Sequence, residues 1–254
     1  MVVIPHGIDL GRFQPPAPAA GLPPRLLSLP RPRVLCAGAV DAHKRMHLAV
    51  EAVARLPGSA SLTVLGDGPE AAALDRLAAE RLGAGRYLRR LVAREEMPAW
   101  YGAADCFTLP SRTESFGLVY LEALACGVPV VATDDAVRRE VIGDAGLFCN
   151  VTDLDAYARA LAEALTRDWG ELPRRRAERF PIAVTVAAYA ELLTFLRPRR
   201  PRMERGAGES QGPLPAGGPA DGRKPHQPAG GAPNGREPHQ AGGSRELRAP
   251  RSRS

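Results

Sequence analysis

A chain of 254 residues with 44% hydrophobic content has room for one α/β domain and an unstructured remainder. Its net charge of +6 is unevenly placed: residues 1–196 carry 22 Lys and Arg against 23 Asp and Glu, whereas residues 197–254 carry 12 against 5, so the surplus gives no reason to expect a nucleic-acid face on the domain. No signal peptide or apolar run of spanning length is present, and Cys36, Cys106, Cys126 and Cys149 lack metal-ligand spacing, which reads as a cytoplasmic protein with reduced, buried thiols and no transmembrane segment.

In chain order, strands are expected at residues 2–5, 33–37, 62–65, 87–92, 106–109, 128–132 and 146–149. Helices are expected between them at residues 47–56, 69–82, 95–103, 117–126, 137–142 and 153–165, with a last one at 185–196 carrying Val186, Tyr189, Leu192 and Leu193 on one side. The alternation predicts a mainly parallel, doubly wound, Rossmann-like sheet with helices on both faces and ligand sites beyond the carboxyl ends of its strands. Residues 1–196 form this domain. Residues 197–254 change composition abruptly, with 11 Gly and 9 Pro from residue 199 onward, and read as a disordered tail that cannot bury enough surface to offset chain entropy. Within it, residues 222–231 are echoed imperfectly by residues 235–243, too few copies for a repeat architecture.

The most informative stretch is Thr113 to Ala123. A strand ending at Leu109 is followed by the polar turn Ser111 to Ser115 and then by a helix on which Leu118, Leu121, Glu122 and Ala125 recur at helical spacing. The carboxylate of Glu122 therefore falls on the inward face, where it is costly without partners. The helix start near Phe116 and Gly117 leaves backbone N–H groups free and favours an anion. A carboxylate beyond it can accept two hydrogen bonds from a ribose diol. Together these suggest a nucleotide whose phosphate meets the helix start and whose ribose meets Glu122.

Several motifs in unbroken order then resemble the donor-binding half of glycosyltransferase family 4. They are Glu114 and Glu122 in an E-x7-E arrangement, the Ser115-Phe116-Gly117 turn, the run from Ala125 to Ala132, Gly66-Asp67-Gly68-Pro69, Lys44, the opening from Ile4 to Asp9, and Arg139 to Gly146. The resemblance covers residues 1–196 and implies the carboxyl-terminal half of a two-domain GT-B fold. It implies transfer of a sugar from a nucleoside diphosphate sugar to an unknown acceptor, with retention of configuration and without a tightly bound metal. It places Glu114 near the donor sugar, Lys44 on the diphosphate with Arg45 as a helper, and the backbone of Ser115, Phe116, Gly117 and Leu118 on sugar hydroxyls and the distal phosphate. Gly38 belongs to the same site, groups near Val92 hold the base, and Glu122 holds the ribose. Lys44 and Glu114 are the catalytic candidates. The bland alternatives are an exposed loop lysine for Lys44 and a dipole-stabilised carboxylate for Glu114. Asp153-Leu154-Asp155 has metal-site spacing but opens a helix, where a cap is the expected role.

Two departures from the family pattern stand out: Ala39 where relatives carry an arginine on the diphosphate, and Arg90 where a glycine ends the strand beside the base. A third is the amino-terminal GT-B domain, which supplies the acceptor site and is missing from this chain. A fragment, an alternative start or a split gene is therefore expected, with the missing domain or a separate chain as partner and membrane contact, if any, made through it. Two readings stay open: a glycosyltransferase active with its other half, or a non-catalytic nucleotide-sugar-binding module or relic.

Overall fold

The computed structural model describes residues 4, 6–15 and 24–196. The tail from residue 197 and most of the expected first strand at residues 2–5 lie outside the described residues, and Ile4 is not in a strand.

Among the described residues, six strands form one wholly parallel sheet in the order β3-β2-β1-β4-β5-β6. They are β1 (Arg33–Ala37), β2 (Ser61–Leu65), β3 (Tyr87–Arg90), β4 (Cys106–Leu109), β5 (Val130–Thr133) and β6 (Gly146–Cys149). Strands β1, β2 and β4 are buried along their whole length, which is why their sequences run continuously apolar rather than alternating: helices cover both faces. Register is set by Val34 beside Leu62 on one side and Cys106 on the other.

The helices are α1 (Pro24–Leu27), α2 (Met46–Ala54), α3 (Ala71–Arg81), α4 (Met97–Gly102), α5 (Leu118–Ala125), α6 (Ala136–Ile142), α7 (Leu154–Thr166), α8 (Leu172–Ala177) and α9 (Ile182–Leu196). Helix α7 illustrates how they attach. Tyr157, Ala158, Leu161 and Ala164 form its buried stripe, and Asp153 accepts from the amides of Asp155 and Ala156 at 3.2 and 3.0 Å. The Asp-x-Asp pair is thus a cap, as expected. The thiols of Cys36, Cys106 and Cys126 are buried, that of Cys149 is half-buried, and none is in a disulfide. Burial pushes Cys126 up to about 12 and Cys149 up to about 11.

Strand order reverses between β1 and β4, so the loops after these two strands diverge and open a crevice at the carboxyl edge. Gly66, after β2, lets a neighbouring loop close in: a Cβ there would lie 1.9 Å from the Gly38 carbonyl oxygen. The chain's opening segment is drawn to the same edge. The Ile8 amide donates to the Phe180 carbonyl at 2.8 Å, and the Ile182 amide donates to the Ile8 carbonyl at 3.0 Å. Among the described residues, no helix is long and apolar enough to cross a membrane.

Candidate donor site at the crevice

The loop after β1 is shaped by Asp41, whose Oδ1 accepts from the amides of His43 and Lys44, both at 2.9 Å. That turn sends Lys44 across the crevice. The loop after β4 sends Glu114 the other way, and Lys44 Nζ donates to Glu114 Oε1 at 2.6 Å. The two side chains are only 25% and 11% exposed, so the pair is charge-assisted and poorly screened. Arg112 N–H donates to the His43 carbonyl at 2.9 Å and stitches the loops together.

Helix α5 begins beside this pair. Gly117 precedes it with φ +83°, and a Cβ there would lie 2.4 Å from Tyr120 Cδ2, so both the turn and the ring demand glycine. The Tyr120 amide donates to the Gly117 carbonyl at 3.0 Å. The amides of residues 115–119 have no protein acceptor among the described residues, as befits a helix start. The resulting cavity of about 210 Å³ is lined by Gly38, Lys44, Glu114, Ser115, Phe116, Gly117 and Leu118, all expected from sequence, and also by His6, Ala37, Leu109 and Val119. His6 reaches it because residues 6–8 are held against residues 180–182, and its ring packs edge-on to Phe116 at 5.3 Å.

Three expected site residues are not in this cavity's lining. Arg45 turns away, donating from Nε to the Pro110 carbonyl at 2.9 Å and from Nη2 to the Ser111 carbonyl at 3.3 Å. Val92 lines a separate cleft of about 620 Å³ with Arg25, Arg90, Glu96 and Trp100. Glu122 accepts from the hydroxyl of buried Tyr101 at 2.7 Å. The expected inward stripe of α5 also needs correction. Leu118 is 41% exposed, and Tyr120, Leu121, Ala123, Leu124 and Ala125 are the buried residues, which leaves Glu122 half-buried on the flank. Burial pushes its carboxyl up, opposed by the Tyr101 hydrogen bond and by the positive charges of Arg94 and Arg12. Neither cation bonds to it, so Glu122 is not an internal ion pair, and its Oε1 has no partner among the described residues.

Beneath the β4–α5 loop lies Arg138, fully buried. Its Nη2 donates to the Ser111 carbonyl at 2.8 Å and to Ser111 Oγ at 2.6 Å, its Nε donates to Tyr120 Oη at 3.0 Å, and its Nη1 pairs with Asp135. Nothing in the sequence pattern marks it, since an arginine in a polar run reads as surface.

Residues 31–167 match the family described as Glycosyl transferases group 1. The chain belongs to that family. Among its group 1 relatives is the GDP-mannose-dependent alpha-(1-6)-phosphatidylinositol monomannoside mannosyltransferase of Mycolicibacterium smegmatis, 35% identical over 68% of this chain and 48% of the relative. Another is the D-inositol 3-phosphate glycosyltransferase of Xylanimonas cellulosilytica, 36% identical over 78% of this chain and 52% of the relative. The fold is also that of sucrose-phosphate synthase from Thermosynechococcus elongatus, at TM-score 0.65 and 30% identity over 76% of this chain and 52% of that one. The chain thus spans about half the length of the relatives it matches.

Replacing Gly117 by alanine should distort the start of α5. A left-handed non-glycine residue costs about 1–2 kcal/mol, and the added methyl would drive Tyr120 aside. Thermal denaturation should show a fall of several degrees, and an unchanged melting point would contradict the assigned turn.

Proposed function

We propose that the chain is the donor-binding half of a glycosyltransferase acting on a nucleoside diphosphate sugar, retaining and metal-independent. The observation that carries this is the Lys44–Glu114 pair at 2.6 Å beside the free amides that open α5. Departure of a diphosphate from a sugar concentrates negative charge on the leaving oxygens, and preorganised donors facing that charge lower the barrier. Lys44 supplies the cation, and the amides of residues 115–119 supply donors supported by the helix dipole. Glu114 orients Lys44 before the donor arrives and meets sugar hydroxyls afterwards. No protein nucleophile is assigned; the departing phosphate accepts the acceptor's proton.

Glu122 takes the ribose with its remaining acceptor capacity, held in place by Tyr101. The cleft with Arg90 and Val92 takes the base. The name of the mycobacterial relative, GDP-mannose-dependent, supports a sugar nucleotide as donor. Isothermal titration with GDP-mannose and UDP-glucose tests this reading: micromolar binding of one is expected, and binding of neither at millimolar concentration would defeat it.

The acceptor site and the completed cleft come from a further GT-B domain, supplied upstream or by another chain. Two facts support this: the chain matches only about half of each relative's length, and α9 leaves Val186, Tyr189, Leu193 and Leu196 exposed on one side, an apolar stripe that calls for a cover. The same half-length favours the second reading for the chain alone, a binding module without turnover, because acceptor alignment is lacking. Sugar transfer should appear on adding a separately produced amino-terminal half from a group 1 relative. Continued inactivity across several donors and acceptors would favour the module.

A further inference from the structure

Arg45 is the one non-glycine residue with positive φ among those described, at φ 49° and ψ 38°. A β-carbon makes that conformation costly, so it persists where surrounding contacts over-determine it. The contacts here are the two bonds to the Pro110 and Ser111 carbonyls. These carbonyls begin the loop that carries Glu114, while Arg45 directly follows Lys44. No carboxylate is within ion-pair distance of Arg45 among the described residues, and burial together with Arg112 and Arg138 holds its guanidinium below its usual range. A cation kept under such conditions, turned from the cavity, is not placed as a ligand.

We propose that Arg45 is a positioning residue: its left-handed backbone and forked bonds tie the loop after β1 to the loop after β4, so that Lys44 and Glu114 are held face to face across the crevice. This revises the sequence expectation of Arg45 as a helper on the diphosphate. Its consequence for binding rests on the donor reading above, whereas the tie itself does not.

The full chain with Arg45→Asn, Arg45→Gly or Arg45→Lys tests it. Asparagine and glycine accept left-handed backbone and cannot reach the carbonyls, and lysine keeps the charge without the fork. In the free protein, amide hydrogen exchange at Arg112, whose N–H donates to His43, should quicken at least tenfold in all three, with melting points near that of the parent. Titrations with GDP and UDP should show about tenfold weaker binding of whichever nucleotide the parent binds, with lysine failing to rescue. Unchanged exchange, or parent-like affinity in Arg45→Lys alone, would overturn the proposal. Binding of neither nucleotide by the parent would defeat the donor reading instead, and the exchange rates would still decide the tie.

Discussion

Glu122→Gln is expected to weaken nucleotide binding roughly ten- to hundredfold and leave the fold intact. Glutamine keeps an oxygen for the Tyr101 hydroxyl, which donates to Glu122 at 2.7 Å, so no buried polar group is orphaned. What it removes is the charge, and hydrogen bonds to a charged group contribute about 1.5–3 kcal/mol, which is about one to two decades of affinity. Glu122→Ala should bind still more weakly and also melt earlier, because the Tyr101 hydroxyl is then buried without an acceptor. Comparing titrations of the two variants separates charge from packing. Equal affinity in parent and Glu122→Gln would remove Glu122 from the site.

The same carboxyl predicts a pH dependence. Burial raises its pKa in the folded chain, so the folded form takes up a proton more readily than the unfolded one. Its contribution to stability is therefore present at low pH and is lost as pH rises through the folded-state pKa. With Glu122 in the proposed ribose role, nucleotide binding should run the opposite way, since a ribose diol needs the carboxylate. Affinity should fall as pH drops through the raised pKa, above the usual glutamate value of about 4.3, and titrations of parent and Glu122→Gln across that range should converge. A parent affinity that strengthens on acidification would contradict the role.

The second large effect is expected at Arg138. Arg138→Met should lower the melting temperature by about 10 °C or more. Four donor contacts vanish together, leaving Asp135, Tyr120 and both Ser111 oxygens without their central partner. Asp135 is 37% exposed and stays hydrated, so the cost falls on the buried Ser111 and Tyr120 oxygens: each acceptor left without its donor costs about 1–3 kcal/mol, and each kcal/mol moves a domain of this size by about 2–4 °C. A melting point within 2–3 °C of the parent in Arg138→Met would show that the network carries little stability.

What the sequence disclosed and what it hid divide along physical lines. All six strands were legible, β1, β2, β4 and β5 because burial demands uninterrupted apolar runs, and the partly buried edge strands β3 and β6 from the alternation of strands with helices. Helix α8 was not, since Pro173 and three consecutive arginines mask it. Yet Arg174 Nη1 donates to the Phe13 and Ala125 carbonyls at 2.7 and 2.8 Å, so a charged residue does the joining there. The oddity of a carboxylate at Glu122 was visible, whereas its partner Tyr101 lies on a different helix and inside an ordinary apolar pattern. The bonds of Arg138 and Arg45 were not legible for one reason: both donate to main-chain carbonyls around Ser111, and no side-chain pattern encodes where a distant backbone oxygen will be. Lys44 and Glu114, by contrast, were each named through the family resemblance, and the fold brings them to 2.6 Å.

On the proposed reading, a nucleoside diphosphate spans from the Lys44–Glu114 cavity to Glu122 on the flank of α5. A crystal of the chain soaked with GDP or UDP tests it most directly. A pyrophosphate is expected against Lys44 Nζ and the amides of residues 115–119, with ribose hydroxyls on Glu122 Oε1 while Tyr101 keeps Oε2. A nucleotide seated elsewhere, or phosphates at the crevice with the ribose turned away from Glu122, would contradict it.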